Sequence, residues 1–205
     1  MRLDPASLDP RTLLQAVAFL RGGGVVAFPT DTLYGLAVDP ASPAAVDRLF
    51  ELKGRAPSAA IPFVAASRAQ VDGWCGLRGD SVELADTFWP GPLSLICDAP
   101  ASIVAAVHAG LGTVAVRVPA HPIARALAEA WGSPLPATSA NRTGEPAATQ
   151  ASELANLHSP HLLIIDGGLA AGGAPSTIVD ARERPARLIR EGAIAWNRVL
   201  DSIQR

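Results

Sequence analysis

Two short segments of this 205-residue chain place polar side chains at alternate positions. Lys53 and Arg55 are separated by one residue, and so are Ser139 and Asn141. Side chains two residues apart share a face on an extended backbone, although not on a helix. Paired cations suit the phosphates of a nucleotide, and serine with asparagine suits phosphate, ribose or base. A basic helix end and a simple turn remain the structural alternatives for the two segments.

A third polar segment follows the hydrophobic run 25–28. It contains Thr30, Asp31 and Thr32 and leads into Tyr34. Hydroxyls and a carboxylate at the end of a strand can bind a small polar ligand. The same residues can form a turn, because aspartate and threonine side chains bond to nearby backbone.

Two arginines interrupt segments that otherwise look like strands or buried turns. Arg117 lies in the run 116–118, and Arg190 follows Leu188 and Ile189. A charge in such a run needs a partner or exposure, so an anionic ligand is a candidate partner for both. The sequence contains no Walker A, GxSxG or HExxH motif. These features together favour a site that positions polyanions over one that performs elaborate proton chemistry.

Helix and strand signals alternate along the chain, which predicts an α/β fold. N-caps, prolines and glycines predict helices between residues 9 and 22, from residue 42, between 80 and 90, and over 122–131, 149–157 and 193–203. Short apolar runs predict strands at 25–28, 61–65, 93–97, 114–118, 162–165 and 177–179. Local patterning does not order these strands in a sheet.

Composition indicates a globular protein, with 49% hydrophobic and 18% charged residues. We predict a single domain over residues 1–205 with a core from about 8 to 203, and we expect it in the cytoplasm. No membrane span and no metal site built from protein ligands are predicted. The net charge of -2 argues against nonspecific nucleic-acid binding over the whole surface. Cys75 and Cys97 are predicted to be two buried thiols.

Seven segments in order resemble one known family. They read PTDTLYGL, LKGR, FWPGPLSLI, VAVRVP, PATSAN, PSTIVD and LIREG, and they extend from about Gly24 to Gly192. This order is similar to the YrdC-like domain of threonylcarbamoyl-AMP synthases. The resemblance implies a twisted mixed sheet with flanking helices around a deep electropositive cavity.

The resemblance also implies roles for individual residues. Lys53 and Arg55 would be the catalytic cations. The implied nucleotide-binding residues are Lys53, Arg55, Arg117, Ser139, Asn141 and Arg190. The implied substrate-binding residues are Thr30, Thr32, Tyr34, Ser176 and Thr177.

The activity implied by the resemblance joins ATP, L-threonine and bicarbonate into threonylcarbamoyl-AMP, a nucleotidyl transfer. Mg²⁺ would accompany ATP, and the expected partners are the downstream threonylcarbamoyl transferase machinery and a weak contact with tRNA or other RNA. One departure is Ala59, which occupies a place where many members carry a basic residue. This departure leaves open a paralogue with another small substrate. Two further alternatives are a double-stranded RNA-binding module and a different acyl or carbamoyl transferase that uses the same domain, as in hydrogenase maturation.

Overall fold

The computed structural model describes residues 1–54, 59–157 and 159–204. Within these ranges the longest helix has 12 residues, and none has the length and apolar composition that a bilayer crossing needs. The helices are α1 (Pro10–Arg21), α2 (Pro43–Lys53), α3 (Arg68–Trp74), α4 (Ser81–Phe88), α5 (Pro122–Trp131) and α6 (Trp196–Ile203), with a 3₁₀ helix at Ala151–Leu157.

Ten short strands are described, and they form two mixed sheets. The strands are β1 (Val25–Pro29), β2 (Tyr34–Ala37), β3 (Phe63–Val64), β4 (Leu93–Asp98), β5 (Thr113–Arg117), β6 (Leu135–Pro136), β7 (Thr138–Ser139), β8 (Leu162–Ile164), β9 (Thr177–Asp180) and β10 (Arg187–Arg190). The four-stranded sheet has the order β7-β2-β1-β8, and the six-stranded sheet has the order β10-β9-β4-β5-β3-β6. The predicted α/β class is confirmed, with its strands divided between two sheets.

Helix α1 begins where the sequence predicts it. The Asp9 side chain accepts hydrogen bonds from the backbone N–H groups of Arg11 and Thr12, at 3.2 and 3.1 Å. Pro10 occupies the first helical position, where its missing N–H costs nothing. The helix ends at Gly22, whose N–H donates to the last turn.

Helix α2 ends at the first of the alternating polar segments. Ser42 caps its start by accepting from the N–H of Ala45 at 3.3 Å. Gly54 closes it in the left-handed conformation, with φ of 59°, which glycine adopts without the strain of a side chain. Lys53 is therefore the last residue of α2 and lies on a helix, where the sequence allowed either a helix end or an extended segment.

Three apolar clusters hold the helices on the sheets. One joins α1 and α5 to β1, for example Leu20, Leu127 and Phe28. A second packs α2 against the strands of both sheets, and a third packs α4 and α6 against β4 and β9. All five residues of β1 are buried, as expected for a strand covered on both faces.

Two expectations from the sequence are wrong in detail. Cys75 and Cys97 form a disulfide, with Cα atoms 6.1 Å apart, and only Cys97 is fully buried. Their closeness depends on helix α3, which the sequence patterns did not predict. The spacing of Asp80 and Glu83 is typical of a capping box at the start of α4, but Asp80 forms no side-chain cap, because its carboxylate binds the Arg184 guanidinium.

The cap of α5 gives a prediction about pH. His121 accepts a hydrogen bond at Nδ1 from the N–H of Ile123, and burial lowers the pKa of the imidazole below its ordinary 6.5, although the charge of Asp31 opposes the shift. The neutral cap therefore stabilises the fold above pH 6.5, and this contribution is lost as pH falls through the lower folded pKa. Between about pH 7.5 and pH 5.5 we expect wild type to lose more stability than His121→Ser.

Urea unfolding at several pH values measures this difference. Serine keeps a capping oxygen and does not titrate, which makes His121→Ser the matched control. Parallel stability curves for the two proteins over this range would contradict the assignment.

Candidate active site

A cavity of about 500 Å³ lies where the two sheets meet. Its wall includes residues from β2 and β7 of the four-stranded sheet and from β3, β5, β9 and β10 of the six-stranded sheet. Its polar or ionisable lining side chains are Thr30, Thr32, Tyr34, Arg117, Thr138, Ser139, Asn141, Glu145, Ser176 and Arg190. Eight of the eleven side chains that the sequence assigned to the site are in this list.

A buried ion pair forms one wall. Arg117, at the end of β5, donates from Nη1 to Asp31 Oδ1 at 2.5 Å, and both side chains are less than a tenth exposed. Its Nη2 donates to the hydroxyls of Thr30 and Thr32, at 3.2 and 3.4 Å. The other oxygen of Asp31 accepts from the N–H of Ala120. The anionic partner that the sequence required for Arg117 is therefore supplied by the protein itself.

A lysine anchors the opposite polar segment. Lys53 is 4% exposed, and its Nζ donates to the carbonyl oxygens of Ser139 and Asn141 at 2.5 and 3.0 Å. It also donates to Asn141 Oδ1 at 3.2 Å. The Ser139 hydroxyl donates to the same Oδ1 at 2.6 Å. Lys53 therefore lies beside Ser139 and Asn141, but only the latter two of these three residues line the cavity.

The amide of Asn141 reaches a second turn. Its Nδ2 donates to the carbonyl oxygen of Glu145 at 2.6 Å. The Glu145 carboxylate, which lines the cavity, accepts from Asn156 Nδ2 at 2.6 Å. Glu145 and Asn156 were not predicted, because neither belongs to a motif of alternating polar residues.

A third polar group surrounds Ser176. Arg190 donates from Nη2 to the carbonyl oxygen of Ser176 at 2.8 Å and to its hydroxyl at 3.4 Å. Ser94 on β4, which is wholly buried, bonds to the same hydroxyl at 2.9 Å. Partial burial, and secondarily the charge of Arg117, lower the pKa of the Arg190 guanidinium. The positive charges of Arg117 and Arg190 therefore repel one another in this part of the cavity.

Two hydroxyls assigned to the substrate are used to hold loops. Tyr34 lines the cavity, but its hydroxyl donates to the Gly168 carbonyl at 2.6 Å, and burial raises its pKa. Thr177 is not among the residues that line the cavity. Its hydroxyl donates to the Ile194 carbonyl at 2.6 Å and accepts from the N–H groups of Gly192 and Ile194. The structure places Thr177 behind the wall, where it fixes the loop after β10.

The remaining predictions divide between the described and undescribed parts of the chain. Arg55 lies outside the described residues, so its role stays a prediction. Ala59 lines the cavity. Its methyl group therefore faces the cavity at the position where the family resemblance implies a basic side chain in many members. Among the described residues no group of three or more His, Cys, Asp or Glu could hold a metal ion.

Comparison with known proteins gives one family. Residues 18–192 match the Sua5/YciO/YrdC family model, described as "Telomere recombination". Threonylcarbamoyl-AMP synthases from Pyrococcus abyssi and Bacillus subtilis are 40% and 37% identical over 87% and 96% of this chain. The chain spans only 53% and 58% of those two relatives. A synthase from Stenotrophomonas maltophilia is 40% identical over 83% of this chain and 94% of its own length.

Solved structures agree with the sequence relatives. P. abyssi Sua5 complexed with L-threonine has a TM-score of 0.89 at 36% identity, over 99% of this chain and 60% of that one. Escherichia coli YciO has a TM-score of 0.81 at 25% identity, over 95% of both chains. Since the family model matches most of the chain and the fold agrees, this protein belongs to the Sua5/YciO/YrdC family.

Proposed function

We propose that this chain synthesises threonylcarbamoyl-AMP from ATP, L-threonine and bicarbonate, as a cytoplasmic nucleotidyltransferase. The observation that carries the proposal is one cavity lined by Arg117, by Arg190 and by the turn at Ser139 that Lys53 holds, in a chain whose relatives bear the synthase name. The L-threonine complex of P. abyssi Sua5 supports an amino-acid substrate. The product would pass to a threonylcarbamoyl transferase that acts on tRNA.

The reaction has two bond-forming steps. The neutral amine of threonine attacks bicarbonate to give the carbamate N-carboxythreonine, with loss of water. A carbamate oxygen then attacks the α-phosphate of ATP, and the bond to the β-phosphate breaks to release pyrophosphate. Because charge develops on the phosphates, fixed cations and hydrogen-bond donors at the cavity wall would stabilise the transition state.

Each polar group has a place in this scheme. The turn that carries Ser139 and Asn141 would contact the nucleotide. Lys53 holds this turn in one conformation, so the polar groups of the turn would be in place before the nucleotide binds. Thr30, Thr32 and Ser176 would face the amino acid. Bound substrates would be held close together, and this proximity can supply much of the rate enhancement without a catalytic base.

We also propose that Mg²⁺ enters bound to ATP. The phosphates would supply most of its ligands, since the described residues contain no carboxylate cluster for it. When bound, the ion would neutralise charge on the phosphates during pyrophosphate release.

Amino-acid selectivity tests the proposal. Thr30 and Thr32 offer hydroxyl partners, so loss of the substrate hydroxyl in valine should leave a buried polar group unpaired. Serine lacks only one methyl, which typically costs about 10- to 200-fold in kcat/KM. We expect serine to be a poor but detectable substrate and valine to be nearly inert.

The selectivity is measured by incubating the protein with ATP, labelled bicarbonate and each amino acid and then identifying the adenylate. If valine matched threonine, or if no amino acid gave an adenylate, the threonine assignment would fail. A paralogue acting on another small substrate would then replace it.

A further inference from the structure

Ser94 is a buried hydroxyl directly behind the cavity wall. It lies on β4, which pairs in parallel with β9, and its side chain has no exposed surface. The oxygen of Ser176, which lines the cavity, lies 2.9 Å from Ser94 Oγ. Ser94 lies in the segment FWPGPLSLI but has no role assigned above, and it is a serine in the otherwise apolar stretch Leu93–Ile96.

The direction of this hydrogen bond follows from counting protons. Each serine hydroxyl has one proton to donate and two lone pairs that accept. Among the described residues, Ser176 Oγ is the partner found for the Ser94 hydroxyl. If Ser176 donated to Ser94, the Ser94 proton would be left buried and unpaired, which is costly. Ser94 is therefore the donor.

The remaining contacts of Ser176 decide where its own proton points. Its oxygen accepts from Ser94 and, at 3.4 Å, from Arg190 Nη2, which occupies both lone pairs. The Ser176 proton is then available to the cavity, beside the Arg190 guanidinium. A hydroxyl donor beside a guanidinium matches an anionic oxygen.

We propose that Ser94 is a positioning residue that turns the Ser176 hydroxyl into a donor for an anionic oxygen of the ligand. That oxygen belongs to a carboxylate or to a phosphate, and it is shared between Ser176 and Arg190. Ser94 touches no ligand and acts only through Ser176. This role for Ser94 rests on the proposed function for the identity of the substrates. The binding of an anionic oxygen by Ser176 and Arg190 does not rest on it.

A double-mutant cycle in binding tests this role. Calorimetry would give the dissociation constants of L-threonine, ATP and inorganic pyrophosphate for wild type, Ser94→Ala, Ser176→Ala and the double variant. We expect Ser176→Ala to weaken the binding either of threonine or of ATP and pyrophosphate together, about 10- to 100-fold, and Ser94→Ala to weaken the binding of the same probe or probes about 3- to 30-fold. In the Ser176→Ala background, the effect of Ser94→Ala should shrink below about 2-fold.

The affected probe identifies the anionic oxygen. An effect on threonine alone assigns it to the carboxylate, and an effect on ATP and pyrophosphate assigns it to a phosphate. Ser81→Ala is the matched control, because Ser81 is also wholly buried and its hydroxyl has no partner in the described part of the chain. Its affinities should equal those of wild type, and melting curves confirm that each variant is folded at the assay temperature.

Three results would overturn the proposal. They are an unchanged affinity in Ser94→Ala, an equal effect of Ser94→Ala with and without Ser176, and the absence of binding by wild type to all three probes. If wild type bound a probe and followed the cycle but made no adenylate, the positioning role would stand and the proposed function would fail.

Discussion

Replacing Lys53 with methionine is expected to slow threonine-dependent pyrophosphate release by more than about 100-fold, which corresponds to about 3 kcal/mol. Methionine fills similar space but removes the donor that binds the carbonyls of Ser139 and Asn141 and the Asn141 side chain. Hydrogen bonds to charged groups contribute about 1.5–3 kcal/mol each. The turn that carries the nucleotide contacts would therefore lose its fixed conformation.

Lys53 is the only lysine in the chain, and the other 16 basic residues are arginines. A compact ammonium can approach three oxygens of one tight turn, whereas a planar guanidinium presents its donors in a fixed fork. We therefore expect Lys53→Arg to be nearly as inactive as Lys53→Met. The control is Arg48→Met on the same helix, since Arg48 binds the Gly23 carbonyl and does not line the cavity. Turnover within about 3-fold of wild type in either Lys53 variant would contradict this role.

Replacing Asp31 with alanine is expected to lower the free energy of unfolding by about 3–5 kcal/mol. The substitution leaves the guanidinium of Arg117 buried at 7% exposure, without the carboxylate that compensates its charge. Burial already lowers the pKa of Arg117, which shows the cost of desolvating this cation. Urea unfolding of wild type and variant measures the loss.

Two further measurements test whether the loss comes from burial of the Arg117 charge and not simply from breaking an ion pair. Arg78→Ala breaks an ion pair with Asp98 in which both side chains are about half exposed, so it should cost less than about 1 kcal/mol. Because Arg117 lines the cavity, pyrophosphate should restore more stability to Asp31→Ala than it adds to wild type. A loss below about 1 kcal/mol in Asp31→Ala would show that Arg117 finds another partner.

Local signals were sufficient for the elements with strong caps. Helix α5 has the predicted bounds, and α1 and α2 begin at their predicted caps, because a capping side chain and a proline define each start. All six predicted strands exist, with bounds that shift by a few residues. The predicted helix at 149–157 is a 3₁₀ helix over Ala151–Leu157, and the final helix begins later, at Trp196.

Elements that depend on distant partners were not predicted. Helix α3 has seven residues and contains Gly73, so its helical propensity is weak without packing. Strand β10 is an edge strand with an arginine at each end, and within the described part of the chain it pairs only with β9. Strands β6 and β7 have two residues each and carry no periodic pattern. The division of the strands into two sheets follows from pairings that local sequence does not encode.

The candidate site was predictable in composition but not in connectivity. Alternating polar residues and the family resemblance identified eight of the cavity-lining side chains. The sequence did not show that Arg117 would pair with Asp31, which lies 86 positions away. Nor did it show that Lys53 would hold the turn at Ser139, which also lies 86 positions away. Such pairings decide which cations remain for a substrate and which are already used by the fold.

The position of β9 has a consequence for biosynthesis. This strand lies between β4 and β10 in the six-stranded sheet. The ribosome synthesises β3, β4 and β5 before β9, so the sheet cannot be completed until this late segment has been made. Until Ser176 and Arg190 have been translated, a nascent chain has an exposed β4 edge and an incomplete cavity. Prematurely terminated chains that end before β9 would thus have no assembled site, and their unpaired edge would mark them for chaperones or proteases.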